Sequence, residues 1–169
     1  MISYFYPKLK NFEINVDVKN LDNYKNIFEK NLNKAPIDFV DGKIIFYDNK
    51  KYIASINDTN FNFKTKENNK KSSLKGIFLG DEINIDFEND KIGDKSTAEI
   101  RLKMSDLNLL AKTNFSKSKI DKNLINGNIL IKKDKHRFLG IFSYQNDEII
   151  IGKSNVRNSF LDGKLEGKI

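Results

Sequence analysis

LKGIFLGDEINIDF, residues Leu74–Phe87, decides how this chain is read, because apolar and polar side chains alternate on both sides of a short polar break. Leu74, Gly76 and Phe78 fall on one side, the Gly80-Asp81 pair is placed to turn the chain, and Ile83, Ile85 and Phe87 return on one side. Successive strand residues point to opposite faces, so this period of two predicts a hairpin with one apolar and one charged face. The spelling recurs at Phe138–Ile151, FLGIFSYQNDEIII, where Phe138, Gly140 and Phe142 answer Ile149 and Ile151. A glycine inside a strand marks a bend, a bulge or a close approach. Both hairpins are therefore expected to curve at the same point, as one structural unit written twice.

The same alternation runs through most of the chain. FEINVDVK sets Phe12, Ile14, Val16 and Val18 against Glu13, Asn15, Asp17 and Lys19. It predicts further strands over Lys43–Tyr47, Tyr52–Ile56, Asn60–Lys64, Ser73–Leu79, Glu82–Glu88, Ala98–Met104, Gly127–Lys132, Arg137–Tyr144, Glu148–Lys153 and Ser159–Ile169. Turns are expected at Asp48-Asn49, Asn68-Asn69, Gly80-Asp81, Asn89-Asp90, Asp134-Lys135 and Asn146-Asp147. One segment departs from this rhythm: Leu21, Tyr24, Ile27, Phe28 and Leu32 recur at helical spacing, with Asn20 placed to cap and Pro36 beyond the end. It predicts a helix over 21–32, and a shorter helical turn is expected from Ser105, carrying Leu107 and Leu110. The expected fold is mainly β: a single segment built as an elongated, curved antiparallel sheet, a β-groove or open barrel-like meander, with one or two short α-helices.

Composition bounds the function. A chain of 169 residues with 13 Phe and 6 Tyr can bury a core, while 31% charged residues and a mean hydropathy of −0.57 describe a very polar surface. With no Cys and His136 as the one histidine, disulfides, thiolate metal sites and multi-histidine centres are excluded. The net charge of +7 invites a nucleic-acid partner, but Arg101, Arg137 and Arg157 are the only arginines among 30 basic residues. The charge is read as a solvated surface, and no nucleic acid is expected. No apolar run reaches the length of a transmembrane helix, and MISYFYPKLK lacks the layout of a signal peptide. Action outside the cytoplasm would need a targeting segment beyond this chain.

Catalytic constellations are not found. His136 sits in KKDKHRF beside Asp134 in a polar turn. The adjacent carboxylates Asp81-Glu82 and Asp147-Glu148 diverge if they lie on strands, and YDNKK and FENDK lack the spacing of a calcium loop. A non-enzymatic protein without cofactor or metal is expected.

The runs APIDFVDGKIIFYDNKKYIASINDTNFNF, SSLKGIFLGDEINIDF, AEIRLKMSDLNLL and HRFLGIFSYQNDEIIIGKSNVRNSFLDGKLEGKI together resemble the AsmA-like family of bacterial envelope proteins. The family's Pro-then-Gly-x-Ile-x-Phe-x-Asp strand is matched by Pro36, Gly42, Ile44, Phe46 and Asp48. Its Leu-x-Gly-x-Phe hairpin is matched by Leu74, Gly76 and Phe78, and its Gly-x-Leu-x-Gly strand by Gly163, Leu165 and Gly167. The likeness covers roughly Ala35 to Ile169 and consists of strand-and-turn patterns rather than a chemical signature. Family members begin with a membrane-anchoring helix and are several times longer, so the resemblance implies a fragment of a longer protein. It further implies a repeating β-groove in the periplasm, anchored to the inner membrane through a segment not in this chain. Such a groove would carry phospholipid acyl chains toward the outer membrane or support its assembly.

On that reading the lipid-contacting face is expected to comprise Phe61, Phe63, Phe78, Ile85, Phe87, Leu102, Ile131, Phe142, Ile149 and Ile151. Gly42, Gly76, Gly80, Gly140 and Gly163 are the expected turn and bend positions. An ordinary packed core would use the same phenylalanines. A closed-barrel carrier of small ligands and a secreted scaffolding or adhesin-like domain are the rival readings.

Overall fold

The computed structural model describes residues 8–19, 37–66, 69–92, 95–118, 124–145, 148–160 and 162–168. Every regular element among them is a strand: β1 (Lys8–Lys10), β2 (Glu13–Asp17), β3 (Ile37–Asp48), β4 (Lys51–Lys66), β5 (Asn69–Phe78), β6 (Asp81–Ile92), β7 (Lys95–Met104), β8 (Leu109–Ser118), β9 (Ile125–Lys133), β10 (His136–Gln145), β11 (Glu148–Arg157) and β12 (Asp162–Lys168). The strand order is β1-β3-β4-β5-β6-β7-β8-β9-β10-β11-β12, with β2 also on β3, so the sheet is open rather than closed into a barrel. It is mixed, because β1 and β2 run parallel to β3. Contacts divide the chain into two compact units, 1–84 and 85–169, each described by itself.

In the first unit, β1 and β2 follow one another along the edge of β3, separated by a bend in which Asn11 takes φ 54°. The β3–β4 register shifts at three places: on either side of the Gly42–Thr59 pair, where Asp41 and Asp58 adopt φ 56° and 48°, and again between Phe46 and Tyr47. Aspartate tolerates this left-handed conformation better than most residues do. Bulges displace the alternation by one residue, and here they keep the apolar side chains on one face. Ala54 and Ile56 project from the same face as Thr59, Phe61 and Phe63 although the parity has changed.

In the second unit, β7 to β12 form an antiparallel meander with nearly unbroken register. Paired residues share a face. Ala98, Ile100, Leu102 and Met104 thus align with Phe115, Thr113, Ala111 and Leu109, and these with Gly127, Ile129 and Ile131, then Phe142, Gly140 and Phe138. A bulge in β11 between Ile151 and Ser154 again shifts the alternation, after which Ser154 and Val156 continue the apolar side.

Several expectations are corrected. Ser105–Asn108 is a turn closed by Asn108 N–H donating to Ser105 O at 3.2 Å, with Asn108 at φ 49°, and Leu109 opens a strand rather than continuing a helix. Leu109, Ala111, Thr113 and Phe115 pair on both sides, so sheet hydrogen bonds win over a weak local helical signal. Asn89-Asp90 lies inside β6 and does not turn. The β5–β6 turn is Leu79-Gly80, both at positive φ (52° and 91°), one residue earlier than the Gly80-Asp81 expected. Likewise Asn49-Lys50, at 48° and 68°, closes β3–β4 in place of Asp48-Asn49. The helix expected over 21–32 and the turn at Asn146-Asp147 lie outside the described residues, as does Asn68.

Candidate functional site: the apolar faces of the sheet

Phe61 and Phe63 join Phe12 and Phe39 on the apolar face of the first unit. Their rings form a continuous series, Phe12 edge-on to Phe39 at 5.4 Å, Phe39 to Phe61 at 6.0 Å, and Phe61 to Phe63 at 6.4 Å. These separations lie in the favourable range for aromatic pairs. Phe78 pairs with buried Ile56 and continues that face. Ile85 and Phe87 share one face of β6, both half-buried. In the second unit Leu102, Ile131, Phe142, Ile149 and Ile151 project from a common face by register. Of the ten residues, Phe63 is buried, Ile149 is exposed and the rest are half-buried.

Glycines let this face lie close to its own backbone. A Cβ on Gly127 would meet the Phe142 ring and stand 2.8 Å from Asn114 O, so Phe142 packs down across the neighbouring strand. Gly42 gives the same room to the Phe12 ring. Gly127 was not expected as a close-approach position. Its signal is positional, since it stands directly opposite Phe142 and only the pairing reveals that.

Gly76 and Gly140 both face bulges, but from different sides. Gly76 confronts the bulge of the preceding strand β4 and Gly140 that of the following strand β11. They also stand at different distances from their turns, since β5 ends at Phe78 and β10 at Gln145. At each bulge one hydroxyl residue is wholly buried. Thr59 donates to Ile56 O at 2.9 Å, while Ser154 donates to Gly152 O at 2.8 Å and accepts from Ile141 N–H at 3.0 Å. These bonds satisfy backbone groups that the interrupted ladder leaves over. Gly163 is an ordinary strand position opposite Val156.

The opposite faces carry most of the charged side chains, with Ile45 buried among them in the first unit and Leu110, Leu130 and Leu139 half-buried in the second. In the first unit Asn62 donates to Asp38 across β3–β4, and in the second Arg101 and Lys112 both reach Glu99 at 3.0 Å. His136 is exposed at the start of β10, opposite Lys133. Beside it the Lys133 ammonium, the Asn108 amide and the charges of Lys133 and His136 hold the exposed Asp134 carboxyl below its usual range. Among the described residues no group of His, Asp and Glu is arranged to hold a metal ion, and no helix is long and apolar enough to cross a membrane. Glu82 is exposed beside half-buried Asp81, and Glu148 pairs with Lys168 at 2.8 Å. No family model, curated protein or solved structure matches the chain.

Proposed function

We propose that this chain is a non-enzymatic, AsmA-like segment of an envelope protein that shields phospholipid acyl chains on their way between the inner and outer membranes. The observation that supports it is a partial segregation of side chains: in each unit the register collects the strand phenylalanines on one face and most of the charged residues on the other, where Ile45, Leu110, Leu130 and Leu139 also lie. All described strands belong to one open sheet, so no second sheet stands among them to cover those faces. An apolar face of this kind is stabilised by contact with hydrocarbon, at about 25 cal/mol for each Å² removed from water. Periplasmic location and an inner-membrane anchor belong to the same proposal and are tested by fractionating cells that make the intact protein.

The direct test places a photocrosslinking residue at Phe142 and, separately, at Ile141. These neighbours project from opposite faces of β10, and Ile141 is 53% exposed. In purified protein carrying its copurified lipid, with no bilayer present, phospholipid adducts are expected from position 142 and not from 141. Phe142→Asp should abolish copurifying lipid in native mass spectrometry, whereas Ile141→Asp should leave it. Lipid-free protein, or equal adducts from both faces, would overturn the proposal.

A further inference from the structure

On the polar face of the second unit, the strand register lines up two adjacent rungs of side chains. One rung reads Arg101, Lys112, Leu130, Leu139, Asn155 and Lys164 across β7 to β12. The next reads Lys103, Leu110, Lys132, Arg137, Arg157 and Asp162. The three arginines of the whole chain, scattered in sequence, fall within these two rungs. Lys132, Arg137 and Arg157 stand side by side on successive strands, at the roughly 4.8 Å spacing of neighbouring strands. Like charges placed directly opposite each other destabilise a sheet. Internal neutralisation is thin. Arg157 Nε lies 3.7 Å from an Asp162 oxygen, Glu99 serves Arg101 and Lys112, and Lys103, Lys132, Arg137 and Lys164 have no ion-pair partner among the described residues.

We propose that this block docks on the headgroups of an anionic lipid bilayer. Three observations select a bilayer over other polyanions. Leu110, Leu130 and Leu139 stand half-buried between the cations, giving the mixed apolar and basic surface that suits an interface. The loops next to the rungs raise apolar side chains into solvent, Leu107 at 40% and Phe160 at 99% exposure. Neither rung holds an aromatic ring on which a base would stack, which disfavours nucleic acid. Two open recesses flank the block, one of about 620 Å³ bordered by Arg101, Lys103 and Lys112, the other of about 400 Å³ bordered by Arg137, Arg157 and Lys164. Each is sized for a headgroup. The inference does not rest on acyl-chain shielding, because the cations occupy the face opposite the apolar one.

The test sediments the full chain with vesicles of phosphatidylcholine alone and of phosphatidylcholine mixed with phosphatidylglycerol. Binding is expected only to the anionic vesicles and should weaken as salt rises. Each cation removed should cost about fivefold in affinity, so Arg137→Gln with Arg157→Gln should lower it by about twentyfold or more. The same charge removed from the polar face of the first unit, Lys43→Gln with Lys75→Gln, should change binding by less than about threefold. Phe160→Ser should weaken binding while leaving its salt dependence unchanged. The double arginine variant relieves like-charge contacts and should melt at or above the parent's temperature. If it does not fold, Lys103→Gln with Lys132→Gln removes two cations of the same rung and carries the same expectation. Equal binding to both vesicles, an equal loss from the two double variants, or tighter arginine-dependent binding to single-stranded oligonucleotide would each overturn the proposal.

Discussion

Gly76 faces a main-chain carbonyl as well as side chains, whereas Gly140 faces side chains alone, and that difference sets what a methyl group would cost at each. A Cβ on Gly76 would stand 2.6 Å from Ile56 Cγ2 and 2.8 Å from Asn57 O, the carbonyl thrust toward it by the β4 bulge. A Cβ on Gly140 would meet the Phe138 ring at 2.8 Å and Ile129 Cγ2 at 3.0 Å, both of which can rotate aside. Gly76→Ala is therefore expected to destabilise by about 2–3 kcal/mol and Gly140→Ala by about 1 kcal/mol, measured by urea unfolding. Equal costs would show that the bulge yields more easily than its hydrogen bonds imply. Sequence marked both glycines as constrained, and the alternation around them was enough for that. The source of the constraint was not legible, because a bulge on a neighbouring strand leaves no trace beside the glycine it presses on.

Elements were mostly legible where alternation stayed in phase, with β8 the exception: Leu109, Ala111, Thr113 and Phe115 alternate through it, yet a helical turn and no strand was expected there. Phe12 to Val18, Ile83 to Phe87 and Ile129 to Ile131 read as strands and are strands or border one. The reading shortened β3, β4 and β11 for one physical reason: each contains or adjoins a bulge at which the apolar set changes parity. Ala54 and Ile56 give way to Thr59, Phe61 and Phe63, which split one sixteen-residue strand into two expected ones. Ile149 and Ile151 give way to Ser154 and Val156, where the expected strand stopped. The turn between β5 and β6 offers a test at this scale. Leu79 holds φ 52° with 81% of its surface exposed, so a bulky side chain occupies a conformation that suits Asn or Gly and gains little packing in return. Leu79→Asn creates the Asn-Gly pair preferred in such two-residue turns, and it should stabilise the protein by about 1 kcal/mol in thermal or urea melts. No gain, or a loss, would mean that Leu79 makes a contact in solution that its exposure conceals.

For the whole molecule, period-two patterning made the two-faced character of the sheet readable, since alternation states directly which residues share a face. The open sheet agrees with the open meander expected, but the parallel pairing of β1 and β2 with β3 was not readable, because pairing partners are set by long-range hydrogen bonds that local alternation does not encode. The gathering of Arg101, Arg137 and Arg157 on one face was hidden for the same reason: Arg137 and Arg157 become neighbours, and Arg101 falls in the adjacent rung, only once the register is known. The lipid-shielding proposal adds a prediction at this scale, because a ligand that binds the folded state alone stabilises it by mass action. With free phospholipid at about one hundred times its Kd, the gain is about 2.7 kcal/mol, enough to raise the melting temperature measurably. The lipid-free chain should bind a hydrophobic dye such as anilinonaphthalene sulfonate, and dispersed phospholipid should displace it. Phe142→Asp places a charge where the ring now packs across Gly127, so it should remove both the dye signal and the lipid-induced rise in melting temperature. Ile141→Asp, on the polar face, should preserve both. A parent protein that melts at one temperature with or without phospholipid and ignores the dye has closed apolar faces, and acyl-chain shielding would then be ruled out for this segment.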